Sequence, residues 1–506
     1  MINISMLSPE HGIEFDVSPA VEMDKFRDKC GVWAIWDPAN PALLDNAFIG
    51  LKGIQHRGEG GAGVAAVSPS QADIQVIRGA GKVKKVFGED GAVLHNLPAD
   101  SYAAIAHTRW PTDAAEGDCN QPRMESLLAL GHNGQVTNKD ELAAMYQVSD
   151  YSSDTDLVAK IIDKRAMELN GDVERAALQI APELRGSFCV TILTKDKLVA
   201  FRDRNGIRPL QLGTTETGGY IVASENMAID TIPGARWERE VEPAEMIVID
   251  RGGLRSGTWA TPDQATCMLE YVYLANKDTM LNGIRVGDAR RGFGREVAKR
   301  IPPELLARLG GLIPLPNGAN QVTHGLADET GVPYTPLMKL NPSVEYGRSF
   351  IQANQGAQAG MAGDKLIVDD AVVPQVEGQV VAVVDDSLVR SNTMKANIPK
   401  IKAAGPEEVH VILGAPKYVG TCNLGVDTPN VNDLIAYRTG GDEKEMANEI
   451  GAASVIFPER EDMHRVVGRK VCDSCLGGDR PNVFAGAEAE SAFQRIAAQL
   501  AISAVS

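Results

Sequence analysis

The sequence predicts two domains: an α+β domain with antiparallel sheets, then an α/β domain on a doubly wound parallel sheet. Its 506 residues are too many for one hydrophobic core. In the first half, short apolar runs are broken by Gly, Pro and Asp, as in antiparallel strands, whereas helical and apolar segments alternate in the second half. Gly and Pro concentrate between Pro243 and Pro262, so we expect the domain boundary near residues 255 to 265.

Hydrophobic periodicity predicts the elements of the first domain. The apolar runs predict strands at Val32–Trp36, Gly63–Val67, Ile105–His107, Leu127–Gly131, Phe188–Leu193, Leu198–Arg202, Tyr220–Ala223 and Met246–Ile249. A period near 3.6 predicts helices between them, at Asp140–Met145, Thr155–Glu168 and Val173–Leu184. This domain therefore combines helices with antiparallel sheets.

The second domain alternates helix and strand. Periodicity predicts helices at Gly292–Arg300 and Gln321–Glu329, with a strand at Leu312–Leu315 between them. A further helix is expected from Met394 to Ala404, with a kink at Pro399, and ends at Gly405. Ala485 to Ala501 has the apolar stripe of an amphipathic packing helix.

Composition and charge exclude several classes of function. The chain is 44% hydrophobic and 23% charged, as in ordinary soluble globular proteins. It contains neither a membrane-spanning apolar stretch nor a secretory signal, so we expect a cytoplasmic protein. The net charge of −17 argues against nucleic-acid binding. An anionic substrate would need local Arg, Lys, backbone N–H groups or Mg²⁺ to reverse that charge.

The most informative segment runs from Val380 to Thr393 (VVAVVDDSLVRSNT). Its apolar part predicts a buried parallel strand, and Val409–Leu413 closes a β-α-β unit. Such units bind ligands just beyond the strand's carboxyl end, where hydroxyls and helix N-terminal N–H groups hold a phosphate. Asp385 and Asp386 would accept hydrogen bonds from two vicinal hydroxyls, which favours a sugar phosphate. A helix-capping Asp-Asp-Ser turn remains the alternative.

The cysteine pattern indicates a metal or redox site more than a disulfide framework. The chain has seven cysteines, an odd number, and Cys472 and Cys475 form a C-x-x-C pair. Cys267 and Cys422 each stand alone in the sequence. The pair by itself leaves zinc, redox chemistry and an ordinary pair of thiols open.

Five further motifs, in order, resemble the glutaminase half of the class II glutamine amidotransferases, and the Val380–Thr393 segment resembles the ribose-phosphate loop of type I phosphoribosyltransferases. The five are Cys30-Gly-Val-Trp-Ala-Ile, Gln55-His-Arg-Gly-Glu-Gly-Gly-Ala-Gly, His107-Thr-Arg-Trp-Pro-Thr, His132-Asn-Gly and Asp154-Thr-Asp. A chain with both halves in this order resembles the glutamine phosphoribosylpyrophosphate (PRPP) amidotransferases. The resemblance extends from Cys30 to about residue 478.

This resemblance implies an αββα N-terminal-nucleophile (Ntn) hydrolase domain followed by a doubly wound type I phosphoribosyltransferase domain. The expected divisions are a propeptide at 1–29, a glutaminase domain at 30–260, a transferase domain at 261–470, and a C-terminal C-x-x-C segment with a helix at 471–506. The implied reaction makes 5-phosphoribosylamine, glutamate and pyrophosphate from glutamine, PRPP and water, in the first step of purine synthesis. The implied partners are these small molecules and further copies of the chain.

The resemblance also implies roles for the glutaminase residues. Cys30 is the nucleophile, activated by its own α-amino group once the bond to Lys29 is cut. Asn133 and Gly134, expected in a His-Asn-Gly turn, stabilise the oxyanion. Arg109 would bind the glutamine carboxylate and Asp154 its ammonium. The residues alone leave a structural cysteine and an Asn-Gly hairpin turn as alternatives.

For the transferase half, the resemblance implies a PRPP site with Mg²⁺. Its residues would be Asp385 and Asp386 for the ribose hydroxyls and candidate Mg²⁺ contacts, and Ser387, Arg390, Asn392, Thr393 and Arg348 for the phosphates. Ser391 replaces the usual Gly, which we expect to be tolerated only with a negative φ. The pyrophosphate loop Pro-Asp-Ser-Gly corresponds to Pro316-Asn317-Gly318-Ala319, which lacks the carboxylate and the hydroxyl.

One branch of the resembled family binds a [4Fe–4S] cluster through four cysteines in a similar layout, which in this chain are Cys267, Cys422, Cys472 and Cys475. Ligand chemistry alone also allows zinc. Two other functions stay open: a divergent paralogue whose glutaminase feeds another phosphorylated acceptor, and a regulatory nucleotide-binding protein.

Overall fold

The computed structural model describes residues 30–110, 120–342, 365–426, 430–478 and 480–483. The expected propeptide, the expected helix at Ala485–Ala501 and Arg348 lie outside the described residues. Within the described ranges, no helix is both long and apolar enough to cross a membrane.

The strands are numbered in chain order across both domains. They are β1 (Cys30–Trp36), β2 (Gly61–Val67), β3 (Gln75–Ala80), β4 (Ala103–Arg109), β5 (Arg123–Met124), β6 (Ala129–Val136), β7 (Gly186–Leu193), β8 (Leu198–Arg202), β9 (Gln211–Thr214), β10 (Tyr220–Ala223), β11 (Arg236–Glu240), β12 (Glu245–Asp250), β13 (Gly253–Thr258), β14 (Thr266–Cys267), β15 (Met280–Leu281), β16 (Ile284–Arg285), β17 (Leu309–Pro314), β18 (Met338–Leu340), β19 (Leu366–Val368), β20 (Val380–Asp385), β21 (Glu408–Leu413), β22 (Val455–Ile456) and β23 (Val471–Cys472).

The helices connect and cover these strands. They are α1 (Leu43–Gly53), α2 (Val83–Phe87), α3 (Lys139–Tyr146), α4 (Asp154–Glu168), α5 (Val173–Ile180), α6 (Met227–Asp230), α7 (Val286–Ala298), α8 (Pro303–Leu306), α9 (Asn320–Thr330), α10 (Asn392–Ala403), α11 (Ile435–Arg438), α12 (Glu443–Ile450) and α13 (Arg460–Val467).

Two antiparallel sheets form the centre of the first domain. One has the order β11-β9-β10-β1-β4-β2-β3 and the other the order β13-β12-β8-β7-β6-β5. Val32 and Ala34 of β1 pack against Ala129 of β6 and Cys189 of β7, so the sheets lie face to face. We call these two packed surfaces the inter-sheet faces.

Helices cover both outer surfaces of this sandwich. Phe48 of α1 packs with Trp33 of β1, and Ile161 of α4 packs with Leu130 of β6 on the opposite side. Because successive strand residues point to opposite faces, each strand supplies one row to the inter-sheet core and one row to a helix. The expected αββα layering is confirmed.

The second domain has a four-stranded parallel sheet of order β17-β20-β21-β22, with helices on both faces. Leu326 of α9 packs with Val384 of β20 on one face, and Ile398 of α10 packs with Val383 on the other. The doubly wound sheet and the β20-α10-β21 unit are therefore as predicted.

Several local predictions differ from the structure. Pro182 ends α5 early, and a single 3₁₀ turn at Ala181–Glu183 follows. The predicted strand at Leu127–Gly131 is instead Ala129–Val136. The polar edge strand β11 was not predicted because its sequence, RWERE, has no apolar run.

The start of the second domain and the C-terminal segment meet in one small parallel pair. In β14 and β23, Thr266 lies opposite Val471, and Cys267 lies opposite Cys472. A shared apolar core surrounds the pair and includes Ile207 of the first domain. The C-terminal segment is therefore packed against both domains.

Candidate functional site

The candidate nucleophile lies at the first residue of β1. Cys30 is buried and pairs across the ladder with Arg109, the last residue of β4. Both side chains point to the inter-sheet face, because they alternate with the outward-facing Trp33 and Ala106. The strand ladder thus brings together two residues that are 79 positions apart by their numbers.

Asn133 lies opposite them, on the inter-sheet face of β6. It is fully buried, yet among the described residues neither its amide nitrogen nor its amide oxygen has a hydrogen-bond partner. An unsatisfied buried polar group costs about 1 to 3 kcal/mol. Such a group is suited to a ligand that supplies the missing partners.

The expected His-Asn-Gly turn is wrong, since Asn133 and Gly134 lie within strand β6. Gly134 has φ +143°, and a β-carbon there would lie 2.0 Å from the carbonyl oxygen of Ser187. The contact explains why the position is glycine: β6 and β7 approach too closely for a side chain.

Arg109 and Asp154 carry opposite charges, and neither forms an ion pair with a described side chain. Among the described residues, Arg109 has no ion-pair partner. Asp154 begins α4 and accepts backbone N–H groups from Val136 (3.0 Å) and Thr155 (2.8 Å). An amino acid needs such a cation and anion for its carboxylate and ammonium groups.

Two polar residues beside Asn133 had no predicted role. His107 Nε2 donates to the carbonyl oxygen of His132 at 3.0 Å, and His132 N–H donates to Gln121 Oε1 at 2.7 Å. The sequence contained a signal for His107. It is two residues before Arg109, so the two side chains lie on the same face of the strand. Gln121 gives no such signal, because it precedes β5 in a loop.

The predicted sugar-phosphate residues cluster where β20 ends and α10 begins. Asp385 and Asp386 are 1% and 2% exposed. Asp385 Oδ1 accepts the Asp386 N–H at 2.8 Å, and Ser387 Oγ donates to Asp386 Oδ1 at 2.8 Å. Asn392 and Thr393 are the first two residues of α10, so the helix N-terminus faces the same loop.

The expected negative φ at Ser391 is wrong, because the residue adopts φ +77°. Its hydroxyl donates to Glu449 Oε1 at 2.9 Å, and the same oxygen accepts from Lys395 (2.9 Å) and Arg438 (2.6 Å). The left-handed backbone that glycine usually supplies is thus retained, and a side-chain hydrogen bond offsets its strain. Sequence could not reveal Glu449, since it is 58 residues from Ser391.

The Pro316–Ala319 loop lies beside this site. The Leu315 N–H donates to the Val384 carbonyl at 2.9 Å, directly before the two aspartates. Asn317 is exposed and Gly318 half-buried. The loop therefore occupies the place expected for pyrophosphate but offers neither the carboxylate nor the hydroxyl of the usual motif.

Four cysteines from three chain segments share one core. Cys267 and Cys472 are paired in the β14–β23 ladder, and the Cys475 carbonyl accepts the Val419 and Gly420 N–H groups at 2.9 and 3.1 Å. The Leu424 N–H donates to Cys422 Sγ at 3.3 Å. Burial, then the neighbouring thiols, raises the pKa of Cys475 well above its usual value. Among the described residues, no group of three or more His, Cys, Asp or Glu is spaced for a single metal ion.

A buried ion network joins the two domains. We define it as Arg57, Arg208 and Glu225 of the first domain with Glu270 of the second. Arg57 donates to Glu225 (2.5 Å) and Glu270 (2.6 Å), and Arg208 donates to Glu270 (3.3 Å). Although burial alone would raise the pKa of Glu225, the charges of His56 and Arg57 hold it well below its usual value.

Comparisons with known proteins agree with this arrangement. A family profile described as "Glutamine amidotransferase domain" matches residues 107–231. The amidophosphoribosyltransferase of Mycobacterium tuberculosis strain H37Rv is 32% identical over 488 residues, covering 92% of this chain and 88% of the relative.

Solved structures are similar over nearly the whole chain. The glutamine PRPP amidotransferase from B. subtilis, complexed with ADP and GMP, aligns with a TM-score of 0.77 and 30% identity over 90% of this chain and 98% of that one. A structure described as the allosteric regulatory enzyme of purine biosynthesis aligns with a TM-score of 0.78 and 29% identity over 91% and 99%. By sequence and by two-domain fold, this chain belongs to the amidophosphoribosyltransferase family.

Proposed function

We propose that this chain is an amidophosphoribosyltransferase, which converts glutamine, PRPP and water into 5-phosphoribosylamine, glutamate and pyrophosphate in the first step of purine synthesis. The observation that carries the proposal is the buried Asn133 amide, which has no hydrogen-bond partner among the described residues and lies on the face shared with Cys30 and Arg109. The Asp385–Asp386 loop in the same chain supplies an acceptor site. The solved relative of purine biosynthesis supports the pathway.

In the glutaminase half, Cys30 attacks the glutamine side-chain amide carbon, and its own α-amino group accepts the thiol proton. The Asn133 amide and the Gly134 N–H stabilise the oxyanion. The C–N bond then breaks, ammonia leaves with that proton, and water hydrolyses the thioester to glutamate. Arg109 holds the substrate carboxylate and Asp154 its ammonium.

In the transferase half, Asp385 and Asp386 hold the ribose hydroxyls of PRPP. The loop residues Ser387, Arg390, Asn392 and Thr393 bind its 5′-phosphate with the N-terminus of α10. Ammonia attacks C1, pyrophosphate leaves, and one proton is released. Mg²⁺, held with the help of the two aspartates, would neutralise the leaving pyrophosphate. Arg348 would bind that pyrophosphate directly.

The same proposal includes domains at 30–260 and 261–470, a propeptide at 1–29, and a C-terminal segment at 471–506. It also includes a cytoplasmic homo-oligomer that binds neither nucleic acid nor membranes. The net charge of −17 supports the absence of nucleic-acid binding.

The decisive experiment measures PRPP-dependent glutamate release by purified enzyme, together with pyrophosphate release from glutamine or from ammonium chloride. Cys30→Ala should abolish glutamine-dependent turnover and retain ammonia-dependent turnover, because only the first half needs the thiol. The control Cys189→Ala removes a buried thiol that donates instead to the carbonyls of Arg208 and Pro209. Glutamate release that never requires PRPP would favour a different phosphorylated acceptor. No turnover with either nitrogen source would favour the regulatory protein.

Activity should also depend on removal of residues 1–29, since Cys30 needs a free α-amino group. Intact-mass measurement of active enzyme should begin at Cys30. Full activity with Lys29 still attached contradicts the proposed general base.

The four cysteines fit a [4Fe–4S] cluster. Three segments converge on one core, and the N–H of Leu424 donates to a sulfur, as is common around iron–sulfur clusters. Burial raises the pKa of Cys267 and Cys475, so neutral thiols are favoured until a cation displaces their protons. When bound, the cluster would join the C-terminal segment to the transferase domain.

Anaerobically purified protein should be brown and contain iron and sulfide. Cys475→Ser should remove the colour and lower the midpoint of thermal unfolding, because the segment around β23 loses its cross-link. The matched variant Cys189→Ser should keep the colour. Stoichiometric zinc without visible absorption would refute the iron–sulfur cluster and indicate a zinc site.

A further inference from the structure

His107 connects the two sheets at the candidate glutaminase site. It lies in β4, opposite Val32 of β1, and on the inter-sheet face that also carries Arg109. Its Nε2 donates across to the carbonyl of His132 in β6 at 3.0 Å. The strand that pairs with the nucleophile strand is thus linked to the Asn133 strand by a direct hydrogen bond between sheets.

His132, the residue before Asn133, is held by hydrogen bonds to both of its backbone groups. His132 N–H donates to Gln121 Oε1 at 2.7 Å, and its carbonyl accepts from His107. The His132 ring lies on the opposite face of β6, with Nδ1 3.0 Å from Thr155 Oγ1. Asn133 itself gains no orientation from hydrogen bonds of its side chain, because its amide has no partner among the described residues.

We propose that His107 is a positioning residue for glutamine hydrolysis, which fixes the His132 carbonyl and thereby aims the Asn133 amide at the developing oxyanion. This inference rests on the proposed function, because it assigns a role within the Cys30 site. A displacement of an oxyanion donor by an ångström is enough to cost catalysis.

The geometry gives His107 no role as a general base. Since Nε2 donates to a carbonyl, Nε2 carries the proton and the neutral ring leaves only Nδ1 unprotonated. Within the described ranges, Nδ1 has no hydrogen-bond partner. Burial lowers the pKa of His107 to about 3, because its effect exceeds the opposing effect of the hydrogen bond to the His132 carbonyl. The ring therefore stays neutral at the pH of catalysis.

Two amide substitutions of His107 test whether a donor at the position of Nε2 is what matters. His107→Gln places a donor near the position of Nε2, whereas His107→Asn places its amide near Nδ1 and leaves the His132 carbonyl without a donor. His107→Asn should lower kcat for glutamine hydrolysis about 10- to 100-fold and change KM less than about threefold. His107→Gln should recover most of that loss.

Two further measurements test folding and proton transfer. Alkylation of Cys30 by iodoacetamide needs no oxyanion site, so its rate should stay within about twofold of wild type in both variants if they are folded. The pH profile of kcat/KM should keep its shape in His107→Gln. Equal losses in Gln and Asn variants, or the disappearance of a limb of the pH profile, would overturn the positioning role.

Different results would refute the proposed function and the role of His107. Wild-type enzyme that begins at Cys30 but releases no glutamate refutes the glutaminase assignment and the role of His107 with it. Wild type that is active, with His107→Asn equally active, refutes only the role of His107.

Discussion

At the scale of single residues, burial decides which groups are chemically unusual. Within the part of the chain that the structure describes, the fully buried Asn133 amide has no hydrogen-bond partner, and neither has Nδ1 of the fully buried His107. Neither property is visible in the motifs His-Asn-Gly and His-Thr-Arg, because burial depends on the second sheet. Both residues nevertheless lie within recognisable motifs, so the sequence located the site but not the function of each member.

The lowered pKa of His107 predicts an acid-sensitive fold. Because the folded-state pKa is about 3 and the ordinary value is 6.5, the unfolded chain binds a proton that the folded chain does not between those values. Stability from this group is complete above pH 6.5 and decreases as pH falls toward 3. Between pH 7.5 and 5.0 the loss should be about 2 kcal/mol.

Urea unfolding of wild type and His107→Gln at both pH values measures this effect. The wild type should lose more stability than the variant on acidification, because glutamine does not titrate. Parallel losses in the two proteins would show that His107 is protonated in the folded state.

At the scale of elements, the two loops of the transferase site differ in how well they match their expected chemistry. The β20–α10 loop keeps its aspartates and its left-handed residue, Ser391. The loop between β17 and α9 keeps its position beside β20 but has Asn317 and Gly318 in place of Asp and Ser. PRPP should therefore be held firmly at the ribose and weakly at the pyrophosphate.

Restoring Asp and Ser in the Pro316–Ala319 loop tests whether pyrophosphate binding is the weaker part of the PRPP site. Asn317→Asp with Gly318→Ser should raise PRPP affinity in the presence of Mg²⁺, since Asn317 is exposed and Gly318 has no positive φ. Asp386→Ala should weaken binding by about 1 to 3 kcal/mol through lost hydroxyl contacts. Calorimetry compares both with wild type, and Asn317→Ala with Gly318→Ala is the matched control. No PRPP binding by wild type or by the restored protein would refute the transferase assignment.

At the scale of the whole molecule, the buried ion network makes the two domains depend on each other. Glu270 pairs with Arg57 and Arg208, and all three side chains are fully buried. Removing one partner of a buried ion pair leaves an uncompensated charge, at a cost of about 3 to 5 kcal/mol.

Glu270→Ala should therefore lower the unfolding midpoint of both domains together, because Arg57 and Arg208 lose their shared partner. Glu89→Ala, in the exposed pair with Lys84, should leave the midpoint unchanged. Chemical unfolding, followed separately by fluorescence and by far-ultraviolet circular dichroism, makes the comparison. Equal midpoints for the two variants would refute a structural role for the network.

The sequence by itself determined the two domains, their fold classes, about half of the described strands and helices, and the motif residues from Cys30 to Thr393. These follow from local information: hydrophobic period, turn residues and short ordered motifs. Only the tertiary structure decided that Asn133 lies in a strand, that Ser391 adopts a positive φ, that His107 and Glu449 contact the sites, and that Glu270 joins the two domains. Those facts depend on backbone approach and burial between segments far apart in the chain, which a linear pattern does not encode.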